Sequence, residues 1–353
     1  MTSKNHIAGP SSGHHQEAYR GTGRRPGLIS GIRPTGELHV GNYYGALKGL
    51  VDLQERYDAR YFIADIHSLT THPKPDDLRG HVVGTARNYL AGGLDPERCT
   101  LYVQSSLAAE ICELHTYLSM VMPLGELMRV PTFKEKAKRH PDNVNYGLVG
   151  YPVLMAADIL LFKAETVMVG DDQLVHLEIA RTIARRFNQL YGNVFPEPRP
   201  LIDNAARIPS LSGAGKMSKS DGASAYISLQ DDELAVEEKT RKALSDPSRV
   251  YREQPGHPTA EGCNVFHLHT FFTGEAEREQ IADLCLSARI GCVECKRKLA
   301  RSLSGVVEPF RQRRERLSEA DTLELLRIGR DKARASARQV IAEVRQAMGL
   351  QML

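Results

Sequence analysis

A chain of 353 residues, 41% apolar and 25% charged, is long enough for roughly two domains at ~150 residues each and for a sizeable core. That composition excludes a disordered, collagen-like or disulfide-stapled chain, and no window approaches the ~18 uncharged apolar residues of a membrane span. The net charge of +3 is unevenly spread: from Arg289 to Leu353 fifteen Lys and Arg face eight Asp and Glu, which leaves the rest of the chain net acidic. A basic end of this kind suits a nucleic-acid face, and equally a solvated helical face.

Residues 1–26 are rich in Gly, Ser and His and contain no apolar h-region, so they read as a disordered tail without a signal peptide. The chain is therefore expected in the cytoplasm, with its six cysteines reduced or bound to metal. A short apolar strand, Leu28 to Ser30, runs into the turn-rich GIRPTGE, and a helix pattern follows from Val40 to Tyr57. A β-rich run from Arg60 to Asp65 comes next, then a loop with Pro73 and Pro75, a helix, a strand from Thr100 to Gln104 and another helix. Strands alternating with helices predict an α/β fold with a doubly wound parallel sheet covered on both faces, binding ligands at the carboxyl ends of its strands. From about Gln230 the pattern changes to helix after helix. We place the boundary near residue 223, after a Gly-, Ser- and Lys-rich loop from Ile208 to Tyr226.

Two segments carry candidate chemistry. In residues 30–47 a strand ends, Gly31 and Gly36 permit tight turning, and His39-Val40-Gly41-Asn42 opens a helix. Helix N-termini offer unpaired N–H groups and partial positive charge to phosphates, and Gly41 lets a flat ring approach the backbone. A purely structural turn would read the same way. In the second segment, Lys216-Met217-Ser218-Lys219-Ser220 follows Ser212-Gly213-Ala214-Gly215. Two lysines three apart on such a loop can close over a triphosphate and balance the charge that builds on leaving pyrophosphate, or they can form an ordinary solvated loop.

Of the cysteines, Cys99 and Cys112 stand alone and read as buried small hydrophobes. The others, Cys263, Cys285, Cys292 and Cys295, are spaced C-x21-C-x6-C-x2-C. By spacing alone they suit tetrahedral zinc or a [4Fe–4S] cluster, or are four unrelated thiols.

HVGN and KMSKS taken together resemble the two signature sequences of class I aminoacyl-tRNA synthetases. Within that class, YPVLMAADILLF (151–162) and VMVGDDQLVHLEIARTIARRFN (167–188) resemble the tryptophanyl-tRNA synthetases, and the likeness extends from about Leu28 to Gly349. It implies a Rossmann-like catalytic domain over 27–222, including a connecting insertion and the KMSKS loop, and an all-helical anticodon-binding domain over 223–353. It also implies a homodimer, with ATP, Mg²⁺, L-tryptophan and tRNA(Trp) as reactants and partners. The MAADILL helix and the VGDDQ-x-x-H segment argue against the sister specificity for tyrosine. The two intact lysine-bearing signatures argue against a retired paralogue that only binds tryptophan or a protein partner.

One position supports the resemblance on physical grounds. Asp158 sits in an apolar run at helical spacing, where a carboxylate is unfavourable unless something bonds to it, and it shares a helix face with Met155. An apolar wall with one acceptor suits an indole, with its flat area and single N–H. The resemblance makes Asp158 the indole acceptor, with Ile29, His67, Tyr151, Met155, Val167, Val169 and Gln173 completing the pocket. It assigns ATP contacts to Arg33, Pro34, Thr35, Gly41, Asn42, Gly170, Asp171, Asp172 and Ile208 and to Lys216, Met217, Ser218, Lys219 and Ser220. His39, Lys216, Lys219 and Lys136 are the catalytic candidates. A subset of the family carries a [4Fe–4S] cluster on a similar cysteine pattern, which implies one here on Cys263, Cys285, Cys292 and Cys295.

Overall fold

The structure is a computed structural model that describes residues 24–139, 141–202 and 206–350. The expected N-terminal tail up to residue 23 lies outside the described residues. The chain divides into two compact units. One is Pro26–Gly36, Gly49–Asn204 and Leu317–Leu353; the other contains Glu37–Lys48 and Ala205–Arg316.

The first unit is built on five parallel strands, β1 (Gly27–Ile32), β2 (Asp58–Ile63), β3 (Cys99–Val103), β4 (Thr166–Val169) and β5 (Arg199–Ile202). Their order is β3-β2-β1-β4-β5. Chain order reverses between β1 and β4, so the crevice for a ligand opens at the carboxyl ends of those two strands. The strands are runs such as GLISGI and CTLYV, buried on both faces because helices cover both sides. Ile29 is paired in register with Val167, and both are buried.

The expected strands at 28–30, 60–65 and 100–104 are all present, shifted at their ends by one or two residues. Asp65 leaves its strand to start the short helix Asp65–Ser68. The helix expected over 40–57 is broken: an α-turn Val40–Asn42 gives way to a π-helical stretch Tyr43–Leu47, and α-helix resumes only for Lys48–Leu53.

The C-terminal helix Glu319–Ala347 belongs to this first unit. It starts at a capping box between Ser318 and Asp321. Its apolar face puts Ala333, Ala337, Val340, Ile341 and Val344 into the same core as Ile29, Tyr102, Ile111 and Phe187. Gly329 permits the closest approach, since a Cβ there would lie 1.8 Å from the carbonyl oxygen of Leu101 in β3. Its basic side chains are occupied: Arg334 and Arg338 flank the buried Glu110, and Arg345 grips Glu113 through both carboxylate oxygens at 2.6 and 2.7 Å. Much of the basic excess seen in the sequence therefore docks a helix onto the sheet unit.

The other unit is mostly helical, with Glu233–Lys242, Asn264–Phe272, Glu275–Leu286 and Cys292–Arg316. Asp232 caps the first of these by accepting from the N–H of Ala235 at 2.8 Å. Together the strands and this helical region form a Rossmann-like α/β core with a largely helical region towards the C-terminus. Among the described residues no helix is long and apolar enough to cross a membrane.

The iron–sulfur expectation is corrected here. Among the described residues no group of three or more His, Cys, Asp or Glu is placed to hold a metal ion. Cys263 precedes the helix Asn264–Phe272, Cys285 ends the helix Glu275–Leu286, and Cys292 and Cys295 open the last helix of the unit. The half-buried Cys285 and the buried Cys295 each have a polar neighbour. The Cys285 sulfur lies 3.8 Å from the Arg249 guanidinium, and the Cys295 sulfur lies 3.5 Å from Nε2 of His269. Burial, followed by the neighbouring thiols, pushes Cys295 up to about 12, and burial also raises Cys263 and Cys285. With no such metal-holding group among the described residues, no chemistry of this chain is routed through an iron–sulfur group. Of the two lone cysteines, Cys99 is buried as expected, but Cys112 is exposed.

Candidate active site

In the sheet unit, Asp158 lies on the helix Tyr146–Leu160, which is capped by Asn145. Asp158 is fully buried (0% exposed), and its carboxylate is met from two directions. Nε2 of His67, brought by the helix Asp65–Ser68, lies 2.8 Å from Oδ2. The carboxamide of Gln104, just past β3, donates to Oδ1 at 3.0 Å and to Oδ2 at 2.9 Å. These bonds satisfy the condition that a buried carboxylate imposes.

The surrounding wall follows the expected residues. Ile29, Val167 and Val169 are buried on β1 and β4, and Met155 packs against the same core. The Tyr151 ring stands 4.5 Å from that of His67 and 5.3 Å from that of His176. Burial raises the Tyr151 phenol, Arg33 opposes this, and Asp158 and Asp172 add to it, so the ring lies within electrostatic reach of all three. After β4, Gly170 leads into a 3-10 turn, Asp171–Gln173, in which Nε2 of Gln173 donates to Asp172 at 2.7 Å. At the end of β1, Pro34 is buried while Arg33 and Thr35 are exposed. Lys136 falls in the helix Pro131–Arg139, with its side chain outside the described residues.

The other unit holds HVGN and KMSKS together. His39 caps the turn Val40–Asn42 reciprocally: its Nδ1 accepts from the Asn42 N–H at 3.2 Å, while Asn42 Oδ1 accepts from the His39 N–H at 3.1 Å. Because Nδ1 accepts from a backbone N–H, the ring proton of a neutral His39 resides on Nε2. Burial first, then the charges of Lys219 and Lys216, lower His39 to about 4, so it is neutral at pH 7 and offers Nε2–H as a donor. The ring that closes on Gly41 is that of His39 itself, since a Cβ on Gly41 would lie 2.9 Å from its Cε1 and Nδ1. On the other side Tyr226 packs at 5.6 Å, supported by the Lys239 ammonium over its face.

The lysine loop is anchored by its apolar member. Met217 is buried, and its N–H donates to the carbonyl of Ile208, also buried, at 2.8 Å. Gly213 and Gly215 take positive φ values of 77° and 69°, which form the turn before it. The flanking Lys216 and Lys219 are exposed, and Nζ of Lys219 donates to the carbonyl of Glu37 at 3.0 Å. Ser218 accepts from the Ser220 N–H and shares a 2.7 Å hydroxyl contact with Ser220.

Sequence reasoning missed Gln104, and it used His176 only as the last position of VGDDQ-x-x-H, with no contact assigned. His176 is buried, and its Nε2 is 3.1 Å from the Thr132 hydroxyl. A polar residue at the carboxyl end of a parallel strand was the available signal for Gln104.

The class to which this fold and site belong is given by comparison. Residues 22–308 match the family described as tRNA synthetases class I (W and Y), and the chain belongs to it. It is 42% identical over 328 residues to the tryptophan–tRNA ligase of Porphyromonas gingivalis, covering 91% of this chain and 98% of that protein. With the tryptophan–tRNA ligase of Thermotoga maritima it shares 40% identity over 330 residues, covering 92% and 99%. Among solved structures, the tryptophanyl-tRNA synthetase of Campylobacter jejuni, complexed with ADP and tryptophan, matches with a TM-score of 0.83 at 31% identity, covering 92% of this chain and 99% of that one. The chain is an enzyme, and its activity is the ATP-dependent activation of tryptophan and the charging of tRNA(Trp).

Proposed function

We propose that tryptophan binds in the sheet unit with its indole against Ile29, Val167, Val169 and Met155, its N–H on Asp158, and its α-amino end at Tyr151 and Gln173. The full burial of Asp158 within a satisfied hydrogen-bond set is the observation that carries this reading. ATP, as its magnesium complex, is the second substrate. We assign its contacts to Gly41, Asn42, Ile208 and Lys216 to Ser220, and to Arg33, Pro34, Thr35 and Gly170 to Asp172.

The tryptophan carboxylate attacks the α-phosphorus in line, forming the mixed anhydride and expelling pyrophosphate. Nε2–H of neutral His39 donates to a phosphate oxygen, and Lys216 and Lys219 balance the charge gathering on the leaving group. The terminal ribose hydroxyl of the tRNA then attacks the carbonyl carbon and displaces AMP. No covalent enzyme intermediate is required.

We further assign anticodon binding to the helices after residue 223, and a homodimer through the insertion after β3. The exposed apolar side chains Met120, Leu124, Met128 and Tyr146 support the homodimer. We also assign the enzyme to the cytoplasm. Amino-acid-dependent exchange of labelled pyrophosphate into ATP, with the twenty amino acids offered separately, tests the site. Exchange with tryptophan alone is expected; exchange with tyrosine, or with none, would overturn it.

A further inference from the structure

Gln104 touches three elements at once and is itself fully buried. It leads the 3-10 turn Gln104–Leu107 at the end of β3. Its carbonyl oxygen accepts from the backbone N–H of His67 at 3.3 Å, and its amide nitrogen donates to both oxygens of Asp158. A backbone N–H can only donate, so the bond to His67 decides which end of the carboxamide is oxygen. The NH₂ group must then face the carboxylate. The same His67 donates to Oδ2 of Asp158, which closes a ring of hydrogen bonds through three side chains.

An ionised carboxylate has about four lone-pair sites. Oδ2 uses two of them, on His67 and Gln104, and Oδ1 uses one, on Gln104. One acceptor site is left, and it is on Oδ1. We propose that Gln104 is the positioning residue of amino-acid selection: it fixes the Asp158 carboxylate so that Oδ1 presents a single open acceptor to the indole N–H. Without the two amide hydrogens, the Asp158 carboxylate keeps one donor in a fully buried site and loses its fixed orientation, so Oδ1 no longer presents one set acceptor and a ligand that lacks an N–H is penalised less. Selection is thus set at a residue that touches Asp158 rather than tryptophan. This inference rests on the reading of Asp158 as the indole acceptor.

The test is pyrophosphate exchange with tryptophan and with β-(3-benzothienyl)alanine, in which sulfur replaces the indole N–H, on the parent enzyme, Gln104→Met and Gln104→Glu. The parent should prefer tryptophan by on the order of 10⁴ in kcat/KM. Gln104→Met should cut that preference at least about tenfold, mainly through a higher KM for tryptophan, while the KM for ATP stays within about twofold. In Gln104→Glu two buried carboxylates face each other and share a proton, so tryptophan affinity should rise as pH falls from about 8 to 6, where the parent is flat. Equal weakening of both substrates in Gln104→Met would make the residue structural only and overturn the proposal. If that variant fails to fold, a flat pH profile in Gln104→Glu does the same. A parent that does not discriminate overturns the Asp158 assignment itself, a separate failure visible before any variant is made.

Discussion

The two units carry their candidate site residues on opposite principles. In the sheet unit they are buried: Asp158, His67 and Gln104 are all inside, and Asp158 is held by the other two. In the other unit the charged residues are at the surface: Lys216 and Lys219 are exposed, on a loop turned by two glycines at positive φ and tethered through buried Met217. Telling one flat amino acid from another needs a desolvated acceptor whose loss of a partner is expensive. Following a triphosphate through a reaction needs cations that can be repositioned, and exposed side chains on a permissive backbone supply that. On the proposed roles, fixed geometry serves selection and exposed charge serves the phosphates.

The sharpest way to break this contrast is Asp158→Ala. It removes the acceptor and strands the donors of Gln104 and His67, so kcat/KM for tryptophan should fall by on the order of 10⁴ with little change in the KM for ATP. A loss below about tenfold in pyrophosphate exchange would end the claim that selection lives here. In the other unit, Lys219→Ala removes an exposed side chain whose Nζ donates to the Glu37 carbonyl. Adenylate formation should slow by about 10²–10³ while the dissociation constant of tryptophan, read by fluorescence or calorimetry, is unchanged. A large loss of tryptophan affinity would refute the division of labour.

The sheet unit should also be the less tolerant in packing. A Cβ at Gly329 meets backbone rather than a flexible side chain, so Gly329→Ala must lift the C-terminal helix off β3 and should cost about 3 kcal/mol in a denaturant melt.

The pH response should come from the other unit, where burial is the leading cause that holds both His39 and His269 down at about 4. Their ordinary value is 6.5. As pH falls from 6.5 towards 4, the unfolded chain therefore binds protons that the folded chain refuses. The folded state has its full stability above that window and loses stability through it. Thermal midpoints should be lower at pH 5 than at pH 7.5, and His269→Gln should flatten the difference by removing one of the two groups. A midpoint that does not move between these values would overturn the account.

What could be read from the sequence follows from the kind of signal each feature leaves. The parallel sheet was legible because its strands are short apolar runs between helical patterns, and the functional residues could be placed because HVGN, KMSKS and the MAADILL helix are local in sequence. Features that depend on tertiary proximity were not legible. Gln104 is 54 residues from Asp158, and no periodicity links them; His67, 91 residues away, was placed in the pocket by the resemblance, but its bond to Asp158 was not. The ring that approaches Gly41 is that of its own neighbour His39, which depends on a capping geometry that spacing cannot reveal. The π-helical stretch Tyr43–Leu47 lies inside an unbroken apolar pattern, so the sequence had no reason to interrupt the helix there. The cysteines failed in the other direction: their spacing allowed a cluster, but no such group is brought together among the described residues, and that placement is invisible in a spacing.

The C-terminal basic residues give the smallest and most discriminating test, because one charge pattern covers two physical situations. Arg345 is bound bidentately to Glu113 on a different helix and joins the C-terminal helix to the sheet unit. Arg311, on the helix Cys292–Arg316 of the other unit, is paired only with Glu308 and Glu315 on its own helix, one turn away on either side. Pairs of the second kind hold together residues that the helix already holds together, in water, and contribute little. Arg311→Ala should therefore shift the denaturation midpoint barely at all. Arg345→Ala removes a charge-assisted clamp between elements distant in sequence and should lower that midpoint more than Arg311→Ala does. If tRNA charging falls in Arg311→Ala while pyrophosphate exchange and stability are untouched, that side chain serves the nucleic acid rather than the fold. If all three are unchanged, the basic run at 311–316 is a solvated helix face at this position, and the contrast between the two units extends to their surfaces.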